Sequence, residues 1–444
     1  MPLLKIRSHL SSFQVIMFGF SLLILAGAVV LMTPLASRDG TGTDFMTALF
    51  TATSAVCVTG LVTVDTATHW SLFGQLIVII LIQIGGLGIV MAGSVITILS
   101  GRRISLLQRA TMKDALSAPH LGGIVRLTQF IVKTVIKIEA IGTALLALRF
   151  IPKYGFWTGL WYGVFHSVSA FCNAGFDLMG QEAQFSSLTA WKSDPIVSLT
   201  IAGLIVIGGI GFLTWYDIYQ NGYHLSRYSM QSKLILIMTA ILIGLPTLYF
   251  YCFEFTSYHG LTRFLISLFQ AITPRTAGFN TVDLTKISET GRLLIIVLML
   301  TGGAPGSTAG GMKTTTVGVL FLSAGAIFSR HVNATCCHRR IDDETRESAA
   351  AVMMMYLILF TAGGCLISAI EGLPLLTCLF EAASAVGTVG LTLGITPTLS
   401  IMSRVILILL MFIGRVGGMT LIYAILPMHP HAQANYVSEK VIVG

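Results

Sequence analysis

A short glycine-bearing stretch recurs four times along this chain. The copies read SAVCVTGL at 54–61, SAFCNAGF at 169–176, ITPRTAGF at 272–279 and SAVGTVGL at 384–391. Successive glycines of the four copies are 115, 103 and 112 residues apart. A repeat of this length indicates that one structural unit occurs four times along the chain. The repeat therefore limits the possible folds before any single residue is interpreted.

The composition indicates that these units lie in a membrane. Hydrophobic residues make up 54% of the chain and charged residues 10%, whereas soluble domains carry about a quarter charged residues. Many apolar runs reach the roughly 20 residues that cross a bilayer as a helix. We therefore predict an all-α integral membrane protein, in which the net charge of +8 reflects basic residues beside the membrane, not nucleic-acid binding. The seven cysteines are scattered and predict neither a disulfide framework nor a metal site.

Within each unit the hydrophobic pattern gives a span, a half-span, the glycine stretch and a second span. Four such units predict four membrane–pore-loop–membrane repeats around a pseudo-four-fold axis, with boundaries at 1–123, 124–226, 227–346 and 347–444. The predicted first spans are 13–35, 124–150, 234–255 and 349–370. The predicted half-spans are 45–53, 159–167, 261–271 and 375–383. The predicted second spans are 72–99, 197–216, a segment from 293, and 405–426.

Charge predicts the orientation. The three linkers between repeats hold ten Lys and Arg residues, and the N-terminus adds Lys5 and Arg7. Short basic loops stay cytoplasmic, so both termini and the linkers are predicted on the cytoplasmic side of the cell membrane. The first apolar run is too long for a signal peptide and predicts a retained helix. The opposite loops carry acidic residues, namely Asp39, Asp44, Asp65, Asp177, Glu182, Asp194, Glu254, Asp283, Glu289 and Glu371.

Non-helical backbone inside a membrane is tolerated only where it is buried in protein or lines a wet cavity. Four glycine stretches around one axis could turn their carbonyl groups inward and replace the hydration shell of a cation. Glycine suits this role because it adopts positive φ freely, and the negative ends of the half-helices would favour a cation. The alternative is that the glycines only permit close helix packing. The predicted filter consists of Val58, Thr59, Gly60, Asn173, Ala174, Gly175, Thr276, Ala277, Gly278, Thr388, Val389 and Gly390.

The second spans share a glycine cluster, at 85–88, 208–211, 302–306 and 414–418. For the first two copies we predict close packing of helices. The third copy lies in the stretch TGGAPGSTAGGMKTTT at 301–316, where proline and glycine predict a broken helix at membrane depth. A phosphate-binding loop is excluded because Met312 separates Gly311 from Lys313 and no strand precedes the segment.

Arg415 stands where the other repeats have Gly86, Gly209 and Gly303. An arginine in the middle of a span is a functional candidate by default. It keeps its charge, so we predict that it bonds to carbonyl groups of the broken segment. The alternative is a structurally paired or snorkelling arginine.

The four glycine stretches and the sequence QAITPRTAGFN at 270–280 resemble the membrane subunit of the Ktr potassium-uptake systems, within the Trk/Ktr/HKT superfamily. The resemblance, which covers nearly the whole chain, implies potassium uptake, often stimulated by sodium, and no enzymatic activity. It implies a homodimer and a separate cytosolic nucleotide-binding ring, so that ATP or ADP would act only through that partner. No covalent cofactor is expected, and no metal beyond the transported cations.

The resemblance also assigns a gate to the broken segment, with a basic residue facing the pore. The implied gate residues are Gly302, Gly303, Gly306, Thr308, Gly310, Gly311, Lys313 and Arg415. Relatives that conduct sodium have serine at the first filter glycine, so Gly60 favours potassium. A secondary solute carrier with broken helices remains the alternative, although such carriers usually repeat twofold.

Overall fold

The computed structural model describes residues 11–99, 106–116, 122–331, 333–418 and 422. Helices dominate this part of the chain, and one short hairpin pairs Thr335–Cys336 with Arg339–Arg340. Within the described residues three helices are long and apolar enough to cross a membrane, and two bent helix pairs would raise that number to five. The predicted all-α membrane architecture is confirmed.

Each repeat begins with a long outer helix, continues with a short half-helix and the glycine loop, and ends with an inner helix. The outer helices are Ser12–Leu31, Ile124–Tyr154, Met230–Glu254 and Asp343–Glu371. The half-helices are Phe45–Cys57, Phe156–Phe171, Gly260–Ile272 and Leu375–Val386. The inner helices are Leu72–Leu87, Pro195–Gly209, Glu289–Leu300 and Ile401–Val416.

Three inner helices lead into a second segment of helix. These distal segments are Ile89–Leu99, Phe212–Asn221 and Thr314–Phe328. The remaining helical elements are Thr66–His69, Leu106–Leu116 and the short turns Met179–Gln181, Thr189–Trp191, Leu225–Arg227, Leu284–Lys286 and Thr396–Thr398. Leu106–Leu116 lies in the first linker, for which the sequence predicted no helix.

The half-helices extend beyond their predicted ends and lie at the centre of the molecule. The first one begins where the Asp44 side chain accepts a hydrogen bond from the backbone N–H of Thr47 at 2.9 Å, which satisfies a donor left free at a helix start. It continues to Cys57, and every residue from Phe50 to Cys57 is buried, although three of them are threonine or serine. A short helix that buries polar side chains packs against protein on all sides.

Three of the four inner helices, those of the first, second and fourth repeats, are not the continuous spans that the sequence predicted. The helix predicted at 72–99 bends by 100° and the one predicted at 197–216 bends by 94°. The breaks fall at Gly88 and Gly211, whose φ values of +87° and +92° are left-handed. The fourth inner helix, predicted at 405–426, ends before Gly417 at φ +87°, and most residues beyond it lie outside the described part. The prediction failed because a glycine inside an apolar run also fits an uninterrupted helix.

The predicted close packing of the first two glycine clusters is confirmed. A Cβ atom placed on Gly85 would lie closer than 3.0 Å to the carbonyl oxygen of Val56, and one on Gly208 would meet Phe171 in the same way. Both carbonyl groups belong to the last turn of a half-helix. Each inner helix therefore touches the half-helix of its own repeat at a site that only glycine fits.

Carboxylates join the outer helices to the inner helices in the later repeats. Glu371 accepts hydrogen bonds from the backbone N–H of Ser400 at 2.9 Å and from the Ser403 hydroxyl at 2.6 Å. Glu254 holds Ser288 in the same way, at 2.7 Å from its backbone N–H. These acids, predicted to lie in the outer loops, thus cap the inner helices where they begin.

We expect Gly85→Ala to destabilise the fold, because the added methyl group would overlap the Val56 carbonyl oxygen. Overpacking of this kind costs about 1–3 kcal/mol, which should lower the melting temperature of the detergent-purified protein. Gly93→Ala is the matched control, since Gly93 lies on the distal segment of the same repeat with no atom within 4 Å of the added Cβ. Equal melting temperatures for the two variants would contradict the close approach.

Candidate cation-binding site

The four glycine loops form a closed ring in chain order. A Cβ atom built on each glycine would lie closer than 3.0 Å to a carbonyl oxygen of the next loop. Gly60 thus faces Ala174, Gly175 faces Ala277, Gly278 faces Val389, and Gly390 returns to Thr59. The ring closes from the fourth repeat to the first, so all four loops surround one axis.

The loop backbone alternates between two conformations. The residue two positions before each glycine has positive φ, with values of +58° at Val58, +60° at Asn173, +70° at Thr276 and +50° at Thr388. The glycines follow at +70° to +92°, and the residue between each pair is not among those of positive φ. Such alternation places successive N–H groups on one side of the chain, which leaves the carbonyl oxygens on the other.

Positive φ is uncommon outside glycine and a genuine outlier for a β-branched residue. Three of the four non-glycine positions hold valine or threonine. Backbone strain of this kind persists only where the surrounding structure enforces it, and it concentrates at functional sites.

Hydroxyl side chains of the half-helices bind the N–H side of the first and fourth loops. The Ser54 hydroxyl oxygen accepts a hydrogen bond from the N–H of Gly60 at 3.0 Å, and its carbonyl accepts from Thr59 at 2.8 Å. Ser384 binds Gly390 and Val389 at the same two distances. The N–H groups of these two loops are therefore hydrogen-bonded to the half-helices.

The second and third loops are anchored by related residues. The carbonyl of Ser169 accepts from Ala174 at 2.7 Å, and its hydroxyl donates to the carbonyl of Phe176 at 2.7 Å. Thr273 makes the same pair of bonds to Ala277 and Phe279, at 2.9 and 2.7 Å. The sequence pattern did not indicate the anchor Thr273, because it stands one position nearer its glycine than the three serines do.

The carbonyl oxygens of the ring are left without donors. Within the described residues no hydrogen-bond donor reaches the backbone oxygen of any of the twelve predicted filter residues, and all twelve residues are buried. Buried carbonyl groups nearly always have a partner. A ring of such oxygens on one axis has the geometry that replaces the hydration shell of a cation.

The broken segment lies against the ring at the end nearest the half-helices. It runs from Thr301 to Lys313, while Thr314–Thr316, which the sequence placed in the break, begin the distal segment instead. A Cβ on Gly310 would overlap the Thr388 side chain. The Thr308 hydroxyl donates to the carbonyl of Phe171, the last residue of the second half-helix, at 3.0 Å.

Backbone hydrogen bonds tie this segment to neighbouring repeats. Ala304 donates to the carbonyl of Gly209 at 2.9 Å, and Phe212 donates to Gly306 at 2.7 Å. Gly311 donates to Gly414 of the fourth inner helix at 3.1 Å. At its base Gly302 donates to Met312 at 2.8 Å, which brings the two ends of the segment together. Gly303, Lys313 and the other predicted gate residues lie in or beside this segment, as their sequence positions require.

Arg415 bridges three repeats. Its guanidinium group donates to the carbonyl oxygens of Thr308, Gly85 and Gly86, the last at 3.0 Å. The predicted contact with a carbonyl of the broken segment is present. No ion pair to Arg415 occurs among the described residues, so its charge is balanced by backbone dipoles alone. The Lys313 ammonium group likewise donates to the carbonyl of Ala309 at 2.8 Å.

Two acidic residues in the loops beyond the ring, Asp39 and Asp283, are held ionised by hydrogen bonds. The Ser37 hydroxyl lowers the pKa of Asp39 to about 2. The Thr285 hydroxyl lowers the pKa of Asp283 below its usual value. Both carboxylates therefore stay charged at neutral pH, and such charges raise the local concentration of cations.

Apolar helices around a closed ring of unpartnered carbonyl oxygens define a multi-pass membrane protein that handles cations. The chain belongs to the TrkH family of cation transport proteins, whose match covers residues 7–437. It is accordingly a cation transporter and not an enzyme.

Individual relatives match along almost their whole length. The potassium/sodium uptake protein NtpJ of Enterococcus hirae is 39% identical over 99% of both chains. The Ktr system potassium uptake protein B of Bacillus subtilis is 37% identical over 97% of this chain and 96% of its own. The crystal structure of the potassium transporter TrkH from Vibrio parahaemolyticus superposes with a TM-score of 0.74 at 18% identity, over 94% of this chain and 84% of that one. This last likeness establishes the shared fold.

We expect Ser384→Ala to loosen the fourth loop, because the buried N–H of Gly390 loses its hydroxyl acceptor. An unsatisfied buried donor costs about 1–3 kcal/mol, so the melting temperature should fall and cation competition in vesicle flux should change. Thr361→Ala is the control, because that exposed hydroxyl bonds to carbonyl groups of its own helix, those of Leu357 at 2.7 Å and Ile358 at 3.2 Å. If both variants match the unmodified protein, the anchor has no role in shaping the loop.

Proposed function

We propose that this protein carries potassium across the cell membrane for uptake, with the glycine ring as its selectivity filter. The observation that carries the proposal is the closed ring of buried carbonyl oxygens without hydrogen-bond donors. Two relatives support the choice of ion, since they are named as a potassium/sodium uptake protein and as a component of a potassium uptake system.

Selectivity in this proposal depends on close contact between the loops. Each glycine faces a carbonyl oxygen of the next loop at a distance that leaves no room for a Cβ atom. The carbonyl positions of neighbouring loops are therefore coupled, and a change at one glycine shifts its neighbour. Rings of carbonyl groups distinguish cations by cavity size and by the number of oxygens.

We further propose that Thr301–Lys313 is the gate, together with Arg415. The segment lies against one end of the ring and is held by bonds to the second and fourth inner helices. Arg415 adds a fixed positive charge beside the same place and fastens Thr308 to the first repeat. Glycines give the segment access to more than one backbone conformation, as a two-state element requires.

The assembly and its regulation are also proposals. The relatives named as parts of a Ktr system support a separate partner, which we propose is a cytosolic nucleotide-binding ring that responds to ATP or ADP. We propose a homodimer in the cell membrane, with both termini cytoplasmic and with sodium as an activator. The repeat boundaries given above also remain predictions.

Gly60→Ser should weaken the preference for potassium over sodium. The new side chain would overlap the Ala174 carbonyl oxygen, and φ at Gly60 is +92°. Rubidium uptake into vesicles, in competition with potassium or sodium, measures the effect, and we expect roughly a tenfold loss of discrimination, or about 1.4 kcal/mol. Gly40→Ser is the control, since Gly40 also has positive φ, at +71°, but no atom lies within 4 Å of the added Cβ. Unchanged competition between potassium and sodium in Gly60→Ser would show that this loop is not part of the filter.

Deleting Ala304–Gly310 should give fast, partner-independent flux with selectivity retained. The deletion removes the bonds of Ala304 and Thr308 to the second repeat and the Thr308 carbonyl bound by Arg415. The ends can be rejoined, because the N–H of Gly302 donates to the carbonyl of Met312 at 2.8 Å, so the chain on the two sides of the deletion is already adjacent.

Rubidium flux from vesicles measures the result, and we expect an increase of at least about tenfold. Thr308→Val, which loses only the hydroxyl bond to Phe171, should give a smaller increase. A deletion variant that elutes as a folded protein but conducts at the resting rate would show that the segment is not the gate.

A further inference from the structure

An apolar cavity of about 530 Å³ lies beside the base of the broken segment. It is enclosed by the third outer and inner helices, the third distal segment and the fourth outer helix. Ten of its twelve lining side chains are apolar, and the two polar ones are Thr301 and Tyr356. Its size falls within the range of about 300–1,000 Å³ that is typical of small-molecule sites.

The two polar groups in the cavity wall are already used. The Thr301 hydroxyl donates to the carbonyl of Val297 at 3.1 Å, and the Tyr356 hydroxyl donates to that of Gly414 at 3.4 Å. A buried water needs two to four polar partners, which this wall does not offer. The cavity therefore suits an apolar occupant.

The surroundings of the cavity identify that occupant. Its inner wall contains Thr301, Met312 and Tyr356, all buried, whereas its rim contains the exposed side chains of Val297 and Phe321. The rim continues into the exposed apolar face of the same helices, at Ile327 and Ile358 for example. In a multi-pass membrane protein such a face contacts lipid, so the opening of the cavity meets acyl chains.

The inner wall is connected to the broken segment. Thr301 and Met312 form the bridge that closes its base. Tyr356 bonds to the Gly414 carbonyl, which also accepts the N–H of Gly311. An occupant that contacts these three side chains stabilises the observed arrangement of the base, because a ligand favours the conformation to which it binds.

We propose that this cavity binds one acyl chain of a bilayer lipid, and that the bound chain holds the base of the segment in its observed conformation. Binding of the acyl chain is inferred from the cavity alone, while its effect on cation flux rests on the proposed gate. Removal of the chain then raises resting cation flux.

The test uses the full-length protein in vesicles of phosphatidylethanolamine and phosphatidylglycerol that contain a phosphatidylglycerol with a diazirine in one acyl chain. Photolysis followed by peptide mass spectrometry should place label on Thr301, Met312 or Tyr356. Ala324→Phe, which adds a ring inside the cavity, should reduce this labelling by about tenfold. Ile327→Phe adds the same ring on the lipid-facing side of the same helix and should leave labelling unchanged.

In the unmodified protein, label confined to exposed residues such as Phe321 would overturn the proposal, and this result does not depend on the folding of any variant. Equal labelling of Ala324→Phe and the unmodified protein would also overturn it. Crosslinks between two copies through these residues would assign the cavity to a dimer interface instead.

The flux measurement separates the two parts. In vesicles of methyl-branched phytanoyl lipids, whose chains are too bulky to enter, resting rubidium flux should rise by about threefold. The resting rubidium flux of Ala324→Phe should be the same in both kinds of vesicle, because its phenylalanine ring already fills the cavity. Inner-wall labelling without any change in flux would keep the lipid site but refute its coupling to the gate.

Discussion

The backbone hydrogen bonds of the glycine loops are the interaction on which the rest of the structure depends. Each loop places its N–H groups toward a half-helix, where a serine or threonine receives them, as Ser54 does for Gly60. Because these N–H groups bond to the half-helices, the carbonyl oxygens lie on the opposite side of the loop backbone. The half-helices must therefore be buried among other helices, because lipid offers no hydrogen-bond partners that would hold these hydroxyl groups in place. The ring thus requires the surrounding bundle, and the bundle requires glycine where an inner helix meets a half-helix carbonyl group, as at Gly85 and Gly208.

Glycine performs two different tasks in the inner helices, and sequence alone did not separate them. At Gly85 the missing side chain permits contact with the half-helix, whereas at Gly88 positive φ ends the helix. The order of outer helix, half-helix, loop and inner helix could be predicted, because four copies of one pattern reinforce each other. The bends could not, because both tasks produce the same residue in the same apolar run. The hairpin at Thr335–Cys336 could not be predicted either, since nothing repeats there.

The candidate site shows the same division between repeated and unique features. The twelve loop residues were found because they recur, and their ring is a consequence of the recurrence. The anchor Thr273 was missed because it breaks the register of the serines by one position. Arg415 was found for the opposite reason, since it replaces a glycine at a position where the other three repeats agree. Its contact with the broken segment, through the Thr308 carbonyl, was predicted, whereas nothing in the sequence indicated its contact with the Gly85 carbonyl of the first repeat.

The departures from fourfold symmetry concentrate on one segment of the third repeat and on Arg415 of the fourth. The third repeat supplies a segment that lies against the ring, and the fourth supplies the arginine that fastens it to the first. The second repeat receives the segment through the carbonyl groups of Gly208 and Gly209. Each repeat therefore contributes a different part to the arrangement around the same thirteen-residue segment, Thr301–Lys313.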